Sequence, residues 1–192
     1  MFAVFETYLS KQISITSSEL NLIQTLCVEQ KISKHRFILR EGAICDKAIF
    51  IARGLVRLYR VDGEGNEHIL RFAMENCWIS DRESYLTGNP SKANIEAIED
   101  SEVLAWKKED FRFLLMQIPA FKQFMKNLVE KGQVDSQNRI YSVISTSAQE
   151  KYFQFMANHP GVFNRVPLHM VASYLGVSRE TLSRIRRHSI GK

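Results

Sequence analysis

The sequence predicts an α+β chain. An N-terminal β-roll of the double-stranded jelly-roll kind, with flanking helices, leads into one long helix and then a C-terminal helix-turn-helix. Three observations carry this. Short apolar-rich runs bounded by turn glycines crowd residues 37–106. One helical pattern of about seven turns fills residues 119–144. A small residue, a glycine and a serine fall at helix-turn-helix spacing within 168–185. With 192 residues, 45% apolar and 24% charged, the chain is long enough for a real core. That composition excludes a disordered chain, a collagen-like fibre and a small disulfide scaffold.

Residues 1–30 read as helix. Thr16 and Glu19 form a capping box, and Leu20, Ile23 and Leu26 follow at helical spacing. From about residue 32 the pattern becomes that of strands. Residues 37–42 form one, ended by Gly42; 48–51 is an apolar, buried-type strand, ended at Gly54. Residues 55–61 alternate in part, with Arg57 opposite in phase to Val56 and Leu58. Residues 62–66, Asp-Gly-Glu-Gly-Asn, signal a hairpin, since glycine supplies the positive φ of a tight turn. The return strand is 68–72, and 95–98 and 102–106 are two more. Many short strands with helices only at the edges imply a roll.

Residues 108–116 form a short helix, and Pro119 suits the first turn of the next. There Phe121, Phe124, Met125, Leu128 and Val129 make an apolar stripe that thins over 130–139 and resumes at Ile140, Tyr141 and Ile144. A long helix with one apolar face predicts a second copy as its cover. Phe121, Phe124, Met125 and Leu128 are the expected dimer contacts, with Gly132 permitting close approach. A capping signal over 146–149 opens the next helix, which His159, Pro160 and Gly161 stop after Asn158. The predicted units are therefore the roll, 1–118, the dimerisation helix, 119–145, and the helix-turn-helix domain, 146–192.

Charge follows these boundaries. Seven of the 26 basic residues and two of the 21 acidic ones fall in 146–192, leaving 19 of each in 1–145. The whole excess of +5 sits in the last quarter, as expected of a unit that meets nucleic acid. Cys27, Cys45 and Cys77 are odd in number and widely spaced, so neither a disulfide framework nor a cysteine-rich metal site is expected. No apolar run is long enough to span a membrane and the N-terminus lacks signal-peptide features, so the expected compartment is a reducing cytoplasm.

Residues 168–185 fit a helix-turn-helix position by position. Ala172 is the small residue where the helices approach, Gly176 sits at the turn, and Ser178 is a ready N-cap. Val171, Leu175, Val177, Leu182 and Ile185 are spaced to bury one face of each helix. The other face of the second helix shows Arg179, Glu180, Ser183, Arg184 and Arg187, with Glu180 and Arg184 one turn apart. Arginine can pair bidentately with guanine, and glutamate can accept from the cytosine amino group. Ser178, Arg179, Glu180, Thr181, Ser183, Arg184, Arg186 and Arg187 are the expected DNA contacts, Arg186 and Arg187 toward phosphates.

Over nearly its whole length the chain resembles the Crp-Fnr family of bacterial transcription regulators. The resemblance rests on Arg40-Glu41-Gly42, Ala52-Arg53-Gly54, the 62–66 hairpin, the long helix, and Gly176-Val177-Ser178-Arg179-Glu180-Thr181-Leu182-Ser183-Arg184-Ile185. It implies a cyclic-nucleotide-binding-like sensor roll, a homodimer, and regulation through a palindromic operator on double-stranded DNA, with RNA polymerase as a possible further partner. It places the three base-reading positions on Arg179, Glu180 and Arg184 and implies a TGA-like half-site. In cyclic-AMP-binding members a Gly-Glu pair and, further on, an Arg-Ser pair hold the phosphate. Aligned through Trp78, Ile79 and Gly88, those positions fall on Ser80, Asp81, Ser91 and Lys92, so the guanidinium is missing. Lys92 remains as a point charge and the amides of 80–84 as an anion nest. Ser136 and Gln137 fall where the long helix would meet the ligand base, in the gap of its apolar stripe. The implied effector, if there is one, is nucleotide-like but not cyclic AMP, and no cofactor is certain. The resemblance also implies a winged helix with a truncated wing, since only 188–192 follow the recognition helix.

Two other classes compete. A metal enzyme built on the roll needs clustered histidines, but His35 and His68 are isolated there and His159, His169 and His188 lie outside it; no enzyme is expected. A nucleotide-binding signalling module without DNA function is the alternative, and the Arg179-Glu180-Arg184 face argues against it.

Overall fold

The computed structural model describes residues 1–190. Two helices come first, α1 (Phe2–Ser10) and α2 (Ser17–Thr25). The predicted box opens α2: Thr16 Oγ1 accepts from the Glu19 amide at 3.3 Å, and the Glu19 carboxylate accepts from the Thr16 amide at 2.8 Å. Eight strands follow, β1 (Val28–Ile32), β2 (Phe37–Leu39), β3 (Lys47–Arg53), β4 (Val56–Val61), β5 (Glu67–Ala73), β6 (Trp78–Ile79), β7 (Asn94–Ala97) and β8 (Ser101–Lys107), with α3 (Arg82–Thr87) between β6 and β7. Strand β1 corrects the helical reading of 1–30. It is an edge strand with only one face half-buried, so its pairing with β8, not an apolar pattern, defines it.

The strands form two four-stranded sheets, ordered β1-β8-β3-β6 and β2-β7-β4-β5. Between them lies the roll interior, with Ile49 and Ile51 from one sheet facing Val56, Ile95 and Ala97 from the other. Strand β3 is buried on both faces because its alternate residues Ala48, Phe50 and Ala52 enter a second core with Trp106 and the flanking helices. Gly54 ends β3 at φ 104°, and a Cβ there would collide with Ser101.

Strand β5 carries a bulge. Leu58 pairs with Arg71 but Tyr59 pairs with Ile69, so Leu70 is the extra residue. The bulge flips the strand's phase: Ala73 joins the roll interior, while Ile69 and Phe72 turn outward. Arg57 also points outward, as its phase predicts, yet it is only 6% exposed. Its guanidinium bonds Glu96 at 2.7 and 3.0 Å and Glu67 at 3.0 Å and lies 4.1 Å from the Tyr59 ring.

Helix α4 (Lys108–Gln117) leads into α5 (Pro119–Ser145), 27 residues with proline in its first turn. Here the structure overturns one expectation. Phe121 is fully buried and Phe124 8% exposed within this chain's own core. Phe121 meets Phe111 edge-on at 5.7 Å and Phe124 meets Tyr8 at 6.0 Å. Met125 and Leu128 pack against the same cluster. Periodicity shows which face of a helix is apolar, not what covers it; here α1, α4 and Trp78 do. Phe121 and Phe124 are therefore not dimer contacts.

Four further helices complete the described residues: α6 (Ala148–Asn158), α7 (Pro160–Phe163), α8 (Leu168–Leu175) and α9 (Arg179–Ile190). The cap of α6 is Ser147 with Glu150, inside the predicted signal but ending one residue later. The stop after Asn158 holds, and Pro160 then starts the extra turn α7. Residues 146–190 contain helices only; Gly191 and Lys192, on which the truncated-wing expectation partly rests, lie outside the described residues. Tyr152, Phe155, Val171 and Leu182 share one core with Leu55, Tyr59 and Ile69 of the roll. Among the described residues no helix is long and apolar enough to cross a membrane.

Candidate nucleic-acid interface and sensor roll

The turn between α8 and α9 has the predicted chemistry. Gly176 is left-handed, φ 66° and ψ 37°, and the Val177 amide reaches back to the Ala172 carbonyl at 3.1 Å. A Cβ on Gly176 would meet open space, so its backbone angle, not crowding, calls for glycine. Ser178 Oγ accepts from the Thr181 amide at 3.1 Å, capping α9. Leu182 is fully buried, Ala172 2% exposed, and Ile185 and Val177 pack beside them.

That anchoring leaves Arg179, Glu180, Arg184 and Arg187 exposed, with Ser183 half-buried between them. Thr181 is engaged, bonded by Ser178 Oγ at 3.0 Å and by Arg184 Nη2 at 3.4 Å. The Glu180–Arg184 pairing expected from their spacing is absent among the described ion pairs; Arg184 turns to Thr181 instead. Arg186 is exposed as well but sits apart from that face. It lines a shallow hollow with Phe163, Val166, Leu168 and Val171, on the flank of α9.

In the roll the structure joins Asp81 to Ser91. Asp81 is 7% exposed and caps α3, accepting from the Glu83 amide at 3.2 Å and from the Ser91 hydroxyl at 2.6 Å. The turn amide expected to receive an anion already faces this carboxylate, which corrects the expectation of an open nest. Lys92 Nζ lies 3.3 Å from Glu83, whose other oxygen takes Arg60 Nη2 at 3.3 Å. Ser80 is half-buried beside Asp81. Ser136 and Gln137 are not brought to this cluster: both are exposed on α5, and Ser136 donates to the Gly132 carbonyl of its own helix at 2.8 Å.

Sequence reasoning missed the residues that join roll to helices. Arg165 bonds Glu75 bidentately at 2.8 and 2.9 Å and also pairs with Glu99. This holds the Glu75 carboxyl down at about 2, and Glu75 Oε1 also accepts from the Gly54 amide at 2.9 Å. Arg139 donates to the carbonyls of Ile69 at 3.0 Å, Tyr174 at 2.8 Å and Leu70. The signal for Arg139 was the polar gap in the α5 stripe, which marks where α5 crosses β5.

Residues 29–118 match the cyclic nucleotide-binding domain. The chain is 24% identical to the anaerobic regulatory protein of Bacillus subtilis over 113 residues, 58% of this chain and 48% of that protein, so the match spans about half of that relative. It is 25% identical to the cyclic AMP receptor protein of Thermus thermophilus over 152 residues, 77% of this chain and 70% of that one. Among solved structures it superposes on the c-di-GMP-responsive regulator CLP of Xanthomonas campestris with a TM-score of 0.75 at 10% identity, covering 92% of each chain. With a regulator of the Crp-Fnr family from Eubacterium rectale the TM-score is 0.69 at 17% identity, covering 91% of this chain and 83% of that one. The fold is that of a Crp-Fnr transcription regulator. In this chain the matched domain begins in β1 and ends between α4 and α5, so the long helix and the helix-turn-helix lie beyond it. The relatives are named as regulators or receptors rather than as enzymes.

Proposed function

We propose that the chain is a homodimeric, sequence-specific DNA-binding transcription regulator, with units 1–118 for sensing, 119–145 for dimerisation and 146–192 for DNA. The observation that carries this is the exposed Arg179, Glu180, Arg184 and Arg187 face on a helix whose opposite side is locked by Leu182. An acidic side chain turned toward a polyanion makes sense where it accepts from a cytosine amino group. Two such helices related by a two-fold axis would enter successive major grooves of a palindromic site on double-stranded DNA. A cytoplasmic location and contact with RNA polymerase go with this reading.

Dimerisation is assigned to the later part of α5. Val129, Gln133, Ser136, Ile140 and Val143 recur at alternating steps of four and three, a heptad seam, and all are exposed, Ile140 at 61% and Val143 at 44%. Ile144 beside them is 80% exposed. Gly132 has no neighbour that a Cβ would strike, which is compatible with close approach of a second helix.

The reading that the roll does not take cyclic AMP is supported by Asp81, at a position the resemblance gives to phosphate binding, whose carboxylate already accepts from the Ser91 hydroxyl and the Glu83 amide. The deciding experiment is random-site selection of bound duplex DNA with and without a panel of cyclic nucleotides. A palindromic consensus recovered equally in both supports the reading; no enriched sequence overturns it.

A further inference from the structure

Arg184 stands in the second turn of α9. In an α-helix the Cα–Cβ bond tilts toward the N-terminus, so a long side chain lies over the turn before its own. Arg184 does this: its Nη2 donates to Thr181 Oγ1 at 3.4 Å, three residues back. It passes over the charge that spacing offers it. Glu180 is exposed and one turn away, yet the two form no ion pair among the described residues.

Thr181 is itself held. Its amide donates to Ser178 Oγ at 3.1 Å, and the Ser178 hydroxyl donates to Thr181 Oγ1 at 3.0 Å. Both lone pairs of the Thr181 hydroxyl are therefore engaged, one by Ser178 and one by Arg184. The cap of α9 and the placing of Arg184 share this one threonine. Thr181 and Arg184 also line a hollow with Ile185, His188 and, from the first turn of α6, Gln149. The hollow leaves the guanidinium room to swing aside, so the bond to Thr181, not crowding, sets where it points.

We infer that Thr181 is a positioning residue for base reading: its hydroxyl draws the Arg184 guanidinium toward the N-terminal end of α9 and so fixes the base pair that Arg184 meets. This rests on the DNA-binding reading above. The N-terminal residues of a recognition helix are those that reach base edges, so an arginine in the second turn joins them by leaning back along the helix. A guanidinium carries several N–H donors. One goes to Thr181, and the others remain for the fork onto guanine O6 and N7. Holding the side chain before DNA arrives removes part of the cost of ordering a long, rotamer-rich arginine. A threonine that met only a phosphate would add affinity at every sequence alike.

The test uses the full chain with Thr181→Val, which keeps the branched shape and removes the hydroxyl, and Thr181→Ser, which keeps the hydroxyl. Arg184→Ala marks the base pair that Arg184 reads. Affinity is measured for the selected palindrome and its single-base variants. Thr181→Val should lower discrimination about threefold to tenfold at that base pair and leave the other positions as they are, and Thr181→Ser should retain it. Equal weakening at every variant, relaxation at a different base pair, or unchanged discrimination in Thr181→Val overturns the inference. Heteronuclear relaxation of the Arg184 Nε–H in the free chain gives a readout without DNA. Its order parameter should fall in Thr181→Val and recover in Thr181→Ser; an equal value in all three chains overturns the inference as well. If the unaltered chain selects no sequence, the DNA reading fails, and the order parameter alone then decides whether Thr181 holds Arg184.

Discussion

The Asp81 carboxylate accepts a 2.6 Å hydrogen bond from the Ser91 hydroxyl inside the roll. Both residues are buried, and the Ser91 hydroxyl also faces the Ala93 amide and carbonyl at 3.0 and 2.9 Å. The chain thus supplies its own anion to the turn that opens α3. Cyclic AMP should give no measurable heat in calorimetry at micromolar concentrations, and DNA binding should not depend on it. Asp81→Ala should lower stability by about 1–3 kcal/mol, since it uncaps α3 and removes a charged acceptor from the buried Ser91 hydroxyl; urea unfolding measures this.

Readout divides along the recognition helix. Glu180→Ala should relax preference at one base pair, with about 1–3 kcal/mol of discrimination lost there and non-specific binding intact or stronger. Arg187→Ala should weaken binding to every sequence and reduce the salt slope by about one unit. Arg186→Ala should do less, because Arg186 lies on the flank with Phe163 and Val171. Binding to single-base variants of the site at two salt concentrations separates the three, and uniform weakening by Glu180→Ala would rule out base reading.

Two parts of α5 should answer differently to substitution. Ile140→Asp, at an exposed seam position, should turn the dimer to monomer in sedimentation equilibrium with little change in folding. Phe121→Ala, in the chain's own core, should cost about 3–5 kcal/mol of stability. The reverse pattern would return the interface to the start of the helix.

Acid should loosen the join between roll and helices. Glu75 is held from 4.5 down to about 2 by Arg165, so in the folded state it stays ionised where the unfolded chain would take up a proton. Its contribution is complete above the unfolded value and is lost as pH falls toward the folded one. Stability from neutral pH down to about pH 3 should therefore drop more in the unaltered chain than in Arg165→Ala. Denaturant midpoints along that range give the comparison, and parallel curves would show that the pair is not coupled to folding.

What the sequence disclosed was local. The Gly176 turn, the Ser178 cap and the Leu182 anchor follow from spacing alone, as do β3 and the 62–66 hairpin. Strands β1 and β6 escaped notice because one is a half-exposed edge and the other two residues long. Phe121 and Phe124 were given the wrong neighbour because amphipathicity is blind to which surface answers it. Alignment found Asp81 and Ser91 but not that they would bond each other. Arg57 alternates correctly yet is buried, since its partners Glu67 and Glu96 come from strands that only the folded sheet sets beside it.

The outer face of the β2-β7-β4-β5 sheet also decides how the chain can be cut. Phe37, Tyr59, Ile69 and Phe72 are covered by the helices after residue 145, and Phe5 and Trp106 share a core with Phe121 and Phe124. A fragment ending at residue 118 would bare aromatic surface on both sheets at once, together with an open strand edge. Such a fragment is a sticky, self-associating piece, and ligand screens against the sensing half belong on the intact polypeptide.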